Sequence, residues 1–236
     1  MKKYKILTVL VVISVMMFAS CKKDTSSSSS TLRIKAQATN STFSVLKSAS
    51  LAAPSFAWDT CFINVSKIDF EAEKKEGEDS HDSASIDYEW KGAKKVDLFN
   101  VNSVVGEINL QPGVYDEISL EIKALKADAG TSPVFYLSGT YTNASGVVIP
   151  IKVVVNEDIE FKAEAEGGTT LNAVNNYTSL INLNLALLMN GILQSDLDSV
   201  ILTNGKIVIS STSNVLLYAK IKGNFDSCDH TEFDKD

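Results

Sequence analysis

Apolar and polar residues alternate with a period of two through most of this chain. In EDIEFKAEAEG, Ile159, Phe161, Ala163 and Ala165 alternate with acids and a lysine until Gly167 and Gly168 close the run. That pattern predicts a strand over 159–165 with one buried and one wet face. Residues 114–122 behave likewise, with Ile118, Leu120 and Ile122 on one side, directly after the turn pair Pro112-Gly113. From 147 to 155 the apolar side is Val147, Ile149, Ile151, Val153 and Val155, and Pro150 confines that strand to an edge or a bulge. Asn143-Ala144-Ser145-Gly146 predicts the hairpin that joins it to a strand over 134–142. Further strands are predicted at 32–38, 62–70, 95–101, 177–185 and 206–210, and the apolar phase slips between Val65 and Ile68, the mark of a bulge.

Short strands at close spacing predict a mainly β protein: an antiparallel β-sandwich, transthyretin/immunoglobulin-like, with one or two short C-terminal helices. One helix is placed within 186–193. The other starts at Ser213 or Asn214 and presents Val215, Leu216, Ala219 and Ile221. Residues 71–89, EAEKKEGEDSHDSASIDYE, read as a solvated loop or a long ribbon, and the acidic tail 226–236 as a frayed end.

The N-terminus breaks the pattern. Lys2, Lys3 and Lys5 precede fourteen residues, Ile6 to Ala19, that are nearly all apolar and too few to span a bilayer, and small residues lead to Cys21. The FASC ending resembles the lipobox of bacterial lipoproteins, which implies cleavage before Cys21 and acylation of its sulfur and new amino terminus. Two or more acyl chains hold a protein stably on a membrane. Residues 1–20 are thus read as a lipoprotein signal peptide and 21–31 as a lipidated Ser-rich linker. Residues 32–225 are the β-sandwich domain and 226–236 the acidic tail.

Charge and cysteines sharpen this picture. Removing residues 1–20 takes away three lysines and no acid, leaving 19 basic against 29 acidic side chains. Such an acidic body does not suit nucleic acid, whose phosphates need a basic surface. With Cys21 lipidated, Cys61 and Cys228 remain as a candidate disulfide in an oxidising compartment.

The segments FINVSKIDFEA (62–72), KVDLFNVN (95–102), LQPGVYDEISLEI (110–122) and the hairpin GTYTNASGVVIPIKV (139–153) together resemble a domain of unknown function found in exported bacterial and archaeal proteins. In that family an L-P-x-G-x-Y-x-x-I-R-L-x-I strand recurs. Here Leu110, Pro112, Gly113, Tyr115, Ile118, Leu120 and Ile122 take the corresponding places, with Ser119 where arginine is frequent. The resemblance implies a β-sandwich on a lipoprotein, with no established activity, cofactor or catalytic residue. Physically the motif reads as scaffold: Pro112 presets φ, Gly113 tolerates a positive one, and the turn delivers Tyr115 to a strand edge.

Candidate chemistry is sparse. His81 and His230 are the only histidines, one in a polar loop and one in the tail, so neither a hydrolytic triad nor a zinc site with Cys228 is favoured. Asp79, Asp82, Asp87 and Glu89 are hard oxygen ligands that a Ca²⁺ ion would accept, without the glycine-centred spacing of an EF-hand. Tyr88 and Trp90 flank the acidic loop as a candidate contact surface. The function expected is therefore non-catalytic: a cell-envelope lipoprotein, held to the outer membrane by its anchor, that binds a glycan or an envelope protein and uses no cofactor. Two alternatives are a fimbrial subunit joined by strand addition at 32–38 and a hydrolase with an unrecognised acid pair.

Overall fold

A computed structural model describes residues 30–44, 55–74, 84–126, 132–171 and 176–235. Residues 1–20, read above as a signal peptide, and Cys21, Asp79, His81 and Asp82 lie outside these residues. The protein is mainly β. Strands β1 (Ser30–Thr39), β2 (Thr42–Ser44), β3 (Ser55–Lys74), β4 (Ala84–Asp97), β5 (Val104–Leu110), β6 (Gly113–Ala124), β7 (Phe135–Thr142), β8 (Val148–Val155) and β9 (Ile159–Leu171) come first. After them come β10 (Tyr177–Asn184), β11 (Leu202–Thr203), β12 (Lys206–Ile209) and β13 (Asp229–Lys235). Four short helices, α1 (Leu185–Leu188), α2 (Gln194–Asp198), α3 (Val215–Gly223) and α4 (Phe225–Cys228), fall among these last strands.

Two sheets form, one ordered β13-β10-β1-β5 and the other β11-β12-β8-β7-β3-β6-β9, with β2 and β4 also paired to β3. They pack face to face: an apolar void of about 10 Å³ is lined by Ala36, Val105 and Ile181 from the small sheet and by Ile63, Ile122 and Phe161 from the large one. Both sheets are mixed. The expected antiparallel pairing holds for most strands, but β1 runs parallel to β10 and β12 parallel to β8.

The long strand β3 explains the architecture. Its buried residues are Phe56 and Trp58, then Cys61, Ile63 and Val65, then Ile68, Phe70 and Ala72. Each gap of three is a bulge: Asp59 is extra against β7 between Trp58 and Thr60, and Gly92 and Ala93 of β4 face the single residue Ser66. The second lies where the apolar phase predicted it. Ser66 serves the junction by donating to Lys123 O at 3.1 Å and accepting from Leu125 N at 2.8 Å. Of the charged stretch 71–89, the described residues 71–74 and 84–89 are paired as a ribbon, with β4 antiparallel to β3 from Ala84 to Asp97. The strand predicted over 95–101 stops at Asp97, whose carboxylate accepts from Phe99 N at 3.0 Å and turns the chain. The tail predicted to fray is instead β13, paired with β10 from Asp229 to Lys235.

The Leu-x-Pro-Gly-x-Tyr motif is a corner. Tyr115 is fully buried rather than at an edge, and its hydroxyl donates to Gln111 O at 2.5 Å, four residues back. This is the economy of a tyrosine corner, in which one phenol ties a turn to the strand it starts. Gly113 does not use a positive φ, contrary to expectation; a Cβ there would lie 2.4 Å from Lys74 Cε, the end of a flexible side chain that can swing aside. Pro150 sits opposite Thr140 of β7, one residue before the stretch that β12 pairs, so its missing N–H interrupts no ladder.

On the outer face of the large sheet, register creates rows of charge. Lys91, Lys67 and Lys123 lie side by side across β4, β3 and β6, and Glu89, Asp69 and Glu121 form the neighbouring row. On β9 the order inverts, with Glu160 beside Lys123 and Lys162 beside Glu121. Ion pairs along and across the strands link the charges: Lys67 to Asp69 at 2.8 Å and to Glu89 at 3.1 Å, Lys123 to Glu121 at 2.5 Å, and Lys162 to Glu121 and Glu160 at 3.1 Å each. A hydrogen bond with the Glu160 carboxyl group, then the ammonium groups of Lys123 and Lys162, pull Glu121 down to about 2.

Two tests follow from this packing. A Cβ on Gly139, opposite Trp58, would lie 2.1 Å from Ala57 O, a backbone atom that cannot swing away. Gly139→Ala is expected to destabilise the protein by about 2–3 kcal/mol in urea unfolding, the upper range of overpacking. Glu121 has a folded pKa below its unfolded one. Its contribution is therefore complete above the ordinary glutamate value of about 4.3 and is lost as pH falls from there toward about 2. Glu121→Gln is expected to flatten the acid limb of a stability-against-pH curve across that window.

Candidate functional site

The predicted site residues are spread over the body. Cys61, on β3, and Cys228, at the end of α4, are buried as two separate thiols, so the bridge suggested by their even number is not made. Cys61 is held in the sheet opposite Leu137, and burial followed by the charge of Asp97 pushes its pKa up, which leaves it inert. Cys228 Sγ instead donates to Phe225 O at 3.3 Å within its own turn of helix.

Tyr88 and Trp90 lie on β4 opposite Phe70 and Ile68, half-buried and packed on the margin of the core. The Trp90 indole folds back over Gly92, where a Cβ would come 2.7 Å from its ring. Glu89 is engaged by Lys67 and Lys91, Asp87 faces Glu71, and His230 stands opposite Asn182 on β13. No group of three or more metal-ligating side chains gathers among the described residues. Strand β1, on which strand addition was expected, is paired on both edges, to β10 and β5, so it offers no open edge.

A groove that the sequence pattern does not predict lies between α2, the start of β11 and α3. It encloses about 840 Å³ and is lined by Val200, Ile201, Val215, Leu216 and Leu217, with Asp196 and Lys220 on its wall. Local sequence builds it stepwise. Asn204-Gly205, both at positive φ (52° and 74°), make the tight turn that folds β11 onto β12. Ser210 and Ser213 close the next turn through reciprocal backbone bonds of 2.9 and 3.2 Å. Asn214 then takes a left-handed φ of 50°, which asparagine tolerates, and opens α3.

The Asn214 side chain clamps the groove. Its Oδ1 accepts from Ile201 N at 3.3 Å, and its Nδ2 donates to Ile201 O at 3.2 Å and to Val208 O at 2.8 Å. Ile201 is therefore fixed along its backbone while its side chain stays 81% exposed, and Leu216, on the first turn of α3, is 84% exposed. The frame is fastened elsewhere too. Tyr141 donates to Asp198 of α2 at 3.1 Å, and Asn224 donates to Leu188 O and Asn190 O at 2.9 Å each. Burial, then the Asp198 carboxylate, raises the Tyr141 pKa, so this bond keeps its proton.

Electrostatically the groove is closed on itself. Lys220 Nζ donates to Asp196 Oδ2 at 2.6 Å and to Gly191 O at 3.1 Å. Asp196 also accepts from Leu193 N at 3.1 Å, and the Lys220 bond followed by this one lowers its pKa. The hydroxyl of Ser199 is spent on Asp196 O. An apolar surface with a self-neutralised wall is suited to excluding water with a complementary apolar group.

The groove also has a position. Ser30 pairs with Leu110, whose turn leads to Gly113 beside Lys74, the C-terminal end of β3. Asp198 is tied instead to Tyr141, which pairs with Phe56 near the N-terminal end of β3. Ser30 and the groove thus occupy opposite ends of the body, roughly 30 Å or more apart counting the ten residues of β1 alone at about 3.3 Å each. Among the described residues no helix is long and apolar enough to cross a membrane.

Of these features the Asn-Gly dipeptide was a legible turn signal. The Asn214 clamp was not, since it joins residues thirteen apart through a side chain. No curated protein and no solved structure matches the chain. Residues 40–203, more than half of the sequence, match the family described as Domain of unknown function (DUF4382), and the chain belongs to that family.

Proposed function

We propose that this protein is an exported lipoprotein, cleaved before Cys21 and acylated there, whose β body is a non-catalytic binding module of the cell envelope anchored to the outer membrane. The observation that carries this reading is the polarity of the body. The first strand starts at Ser30, nine residues after Cys21, and the apolar groove opens at the other end. A tether at the first end presents the groove away from the bilayer. The residues between anchor and strand, KKDTSSSS, are polar, and even fully extended a chain of that length reaches only about 30 Å. The binding role is also supported by the acids on the outer face of the large sheet, which are taken up by lysines in ion pairs. Between the two partner classes, the apolar groove favours an envelope protein over a glycan, which would call for exposed rings and unspent hydrogen-bonding groups.

The anchor is tested by intact-mass measurement of the membrane-extracted protein. The mature chain is expected to lack residues 1–20 and to carry fatty acyl groups, and Cys21→Ser is expected to move it out of the membrane fraction. Retention of Met1, or an unacylated Cys21, overturns the lipoprotein reading.

A further inference from the structure

We infer that the groove between α2, β11 and α3 is a docking site for an uncharged apolar segment of a partner protein, gripped between Ile201 and Leu216. This deepens the binding-module reading and rests on it. Exposure is the first argument. Two aliphatic side chains more than four-fifths exposed, with half-exposed Val215 next to Leu216 on α3, are an apolar patch rimmed by polar groups, a combination that marks contact surfaces.

The second argument is rigidity. Asn214 holds both backbone groups of Ile201, and its own left-handed backbone is kept in place by three side-chain hydrogen bonds. An exposed residue needs no such clamp to stay folded. A binding anchor gains from it, because a side chain already fixed loses little entropy when its partner arrives.

Charge selects the occupant. Among the lining residues Lys220 is the cation, and it is spent on Asp196 and the Gly191 carbonyl. A fatty acid or anionic phospholipid therefore meets no available counter-charge. In the proposed orientation the bilayer also lies at the far end of the body. The net charge of the chain, −7 overall, further opposes anionic amphiphiles and a second copy of the same acidic body. A peptide segment with neighbouring aliphatic or aromatic side chains and no charge between them satisfies the groove.

The test uses the detergent-purified full chain and a displayed library of random short peptides. Peptides carrying closely spaced aliphatic or aromatic residues are expected to be enriched. Their affinity is expected to fall about tenfold or more in Ile201→Ser and again in Leu216→Ser, as for central contact residues, with thermal unfolding unchanged because both side chains are exposed. Decanoate and dihexanoylphosphatidylglycerol below its micellar concentration serve as lipid probes, and sedimentation reports self-association. The inference is overturned by no enrichment, by enrichment that both substitutions leave intact, by lipid binding that they abolish, or by a dimer that they dissociate. Binding is read whether or not Cys21 is acylated, so its failure and that of the anchor are separate results.

Discussion

Strand β3 is the constraint on which the fold depends. One continuous chain of twenty residues pairs along one edge with β7 and then β6, and along the other with β2 and then β4. A straight strand of that length would project far beyond a single core. A bulge of its own at Asp59 and one of β4 opposite Ser66 divide it, so that its first half belongs to the β7-β8-β12-β11 end and its second half to the β6-β9 end. Each bulge also shifts the apolar phase by one, which keeps every segment of the strand facing inward although its direction has changed. The groove and the start of β1 are far apart because β3 separates them.

The surfaces at its two ends differ in kind. Across β4, β3, β6 and β9 the outer face carries a set of lysines and acids paired both along and across the strands. Such an array keeps a broad flat sheet soluble and discourages edge-to-edge association. At the groove the lining charges are the pair Asp196–Lys220, and aliphatic side chains take up most of the rest. The family motif sits between these regimes and serves neither directly. Leu110, Tyr115 and Ile118 are buried and the phenol is spent on a turn, so the most recognisable stretch of the sequence is scaffold.

How far the sequence disclosed this depends on the range of the interaction. Ile118, Leu120, Ile122, Ile159, Phe161 and Ala163 were readable as inward-facing because alternation is local and one face is buried. The bulge at Ser66 was readable for the same reason, as a slip of phase. The earlier bulge at Asp59 escaped because the strand was begun at Phe62, on its outer face, seven residues late. The parallel pairings escaped too, since alternation says nothing about strand direction. Of the groove, only the Asn204-Gly205 turn had a local signature. Leu216 was placed on the apolar face of the second helix and Ile201 carried no signal at all, because exposure is decided by what the rest of the chain leaves uncovered.

The parallel pairing of β1 with β10 has a consequence for the order of events in biosynthesis. Its partners are separated by 145 residues, Leu32 meeting Tyr177 and Thr39 meeting Asn184. At ribosomal speeds of about 5–20 residues per second, roughly 7 to 30 s elapse between the making of the first strand and of the one that closes its second edge. Until then the small sheet has a gap at its centre, and distant pairings of this kind are slow to find. The emerging polypeptide thus cannot complete its small sheet until nearly all of it has been made.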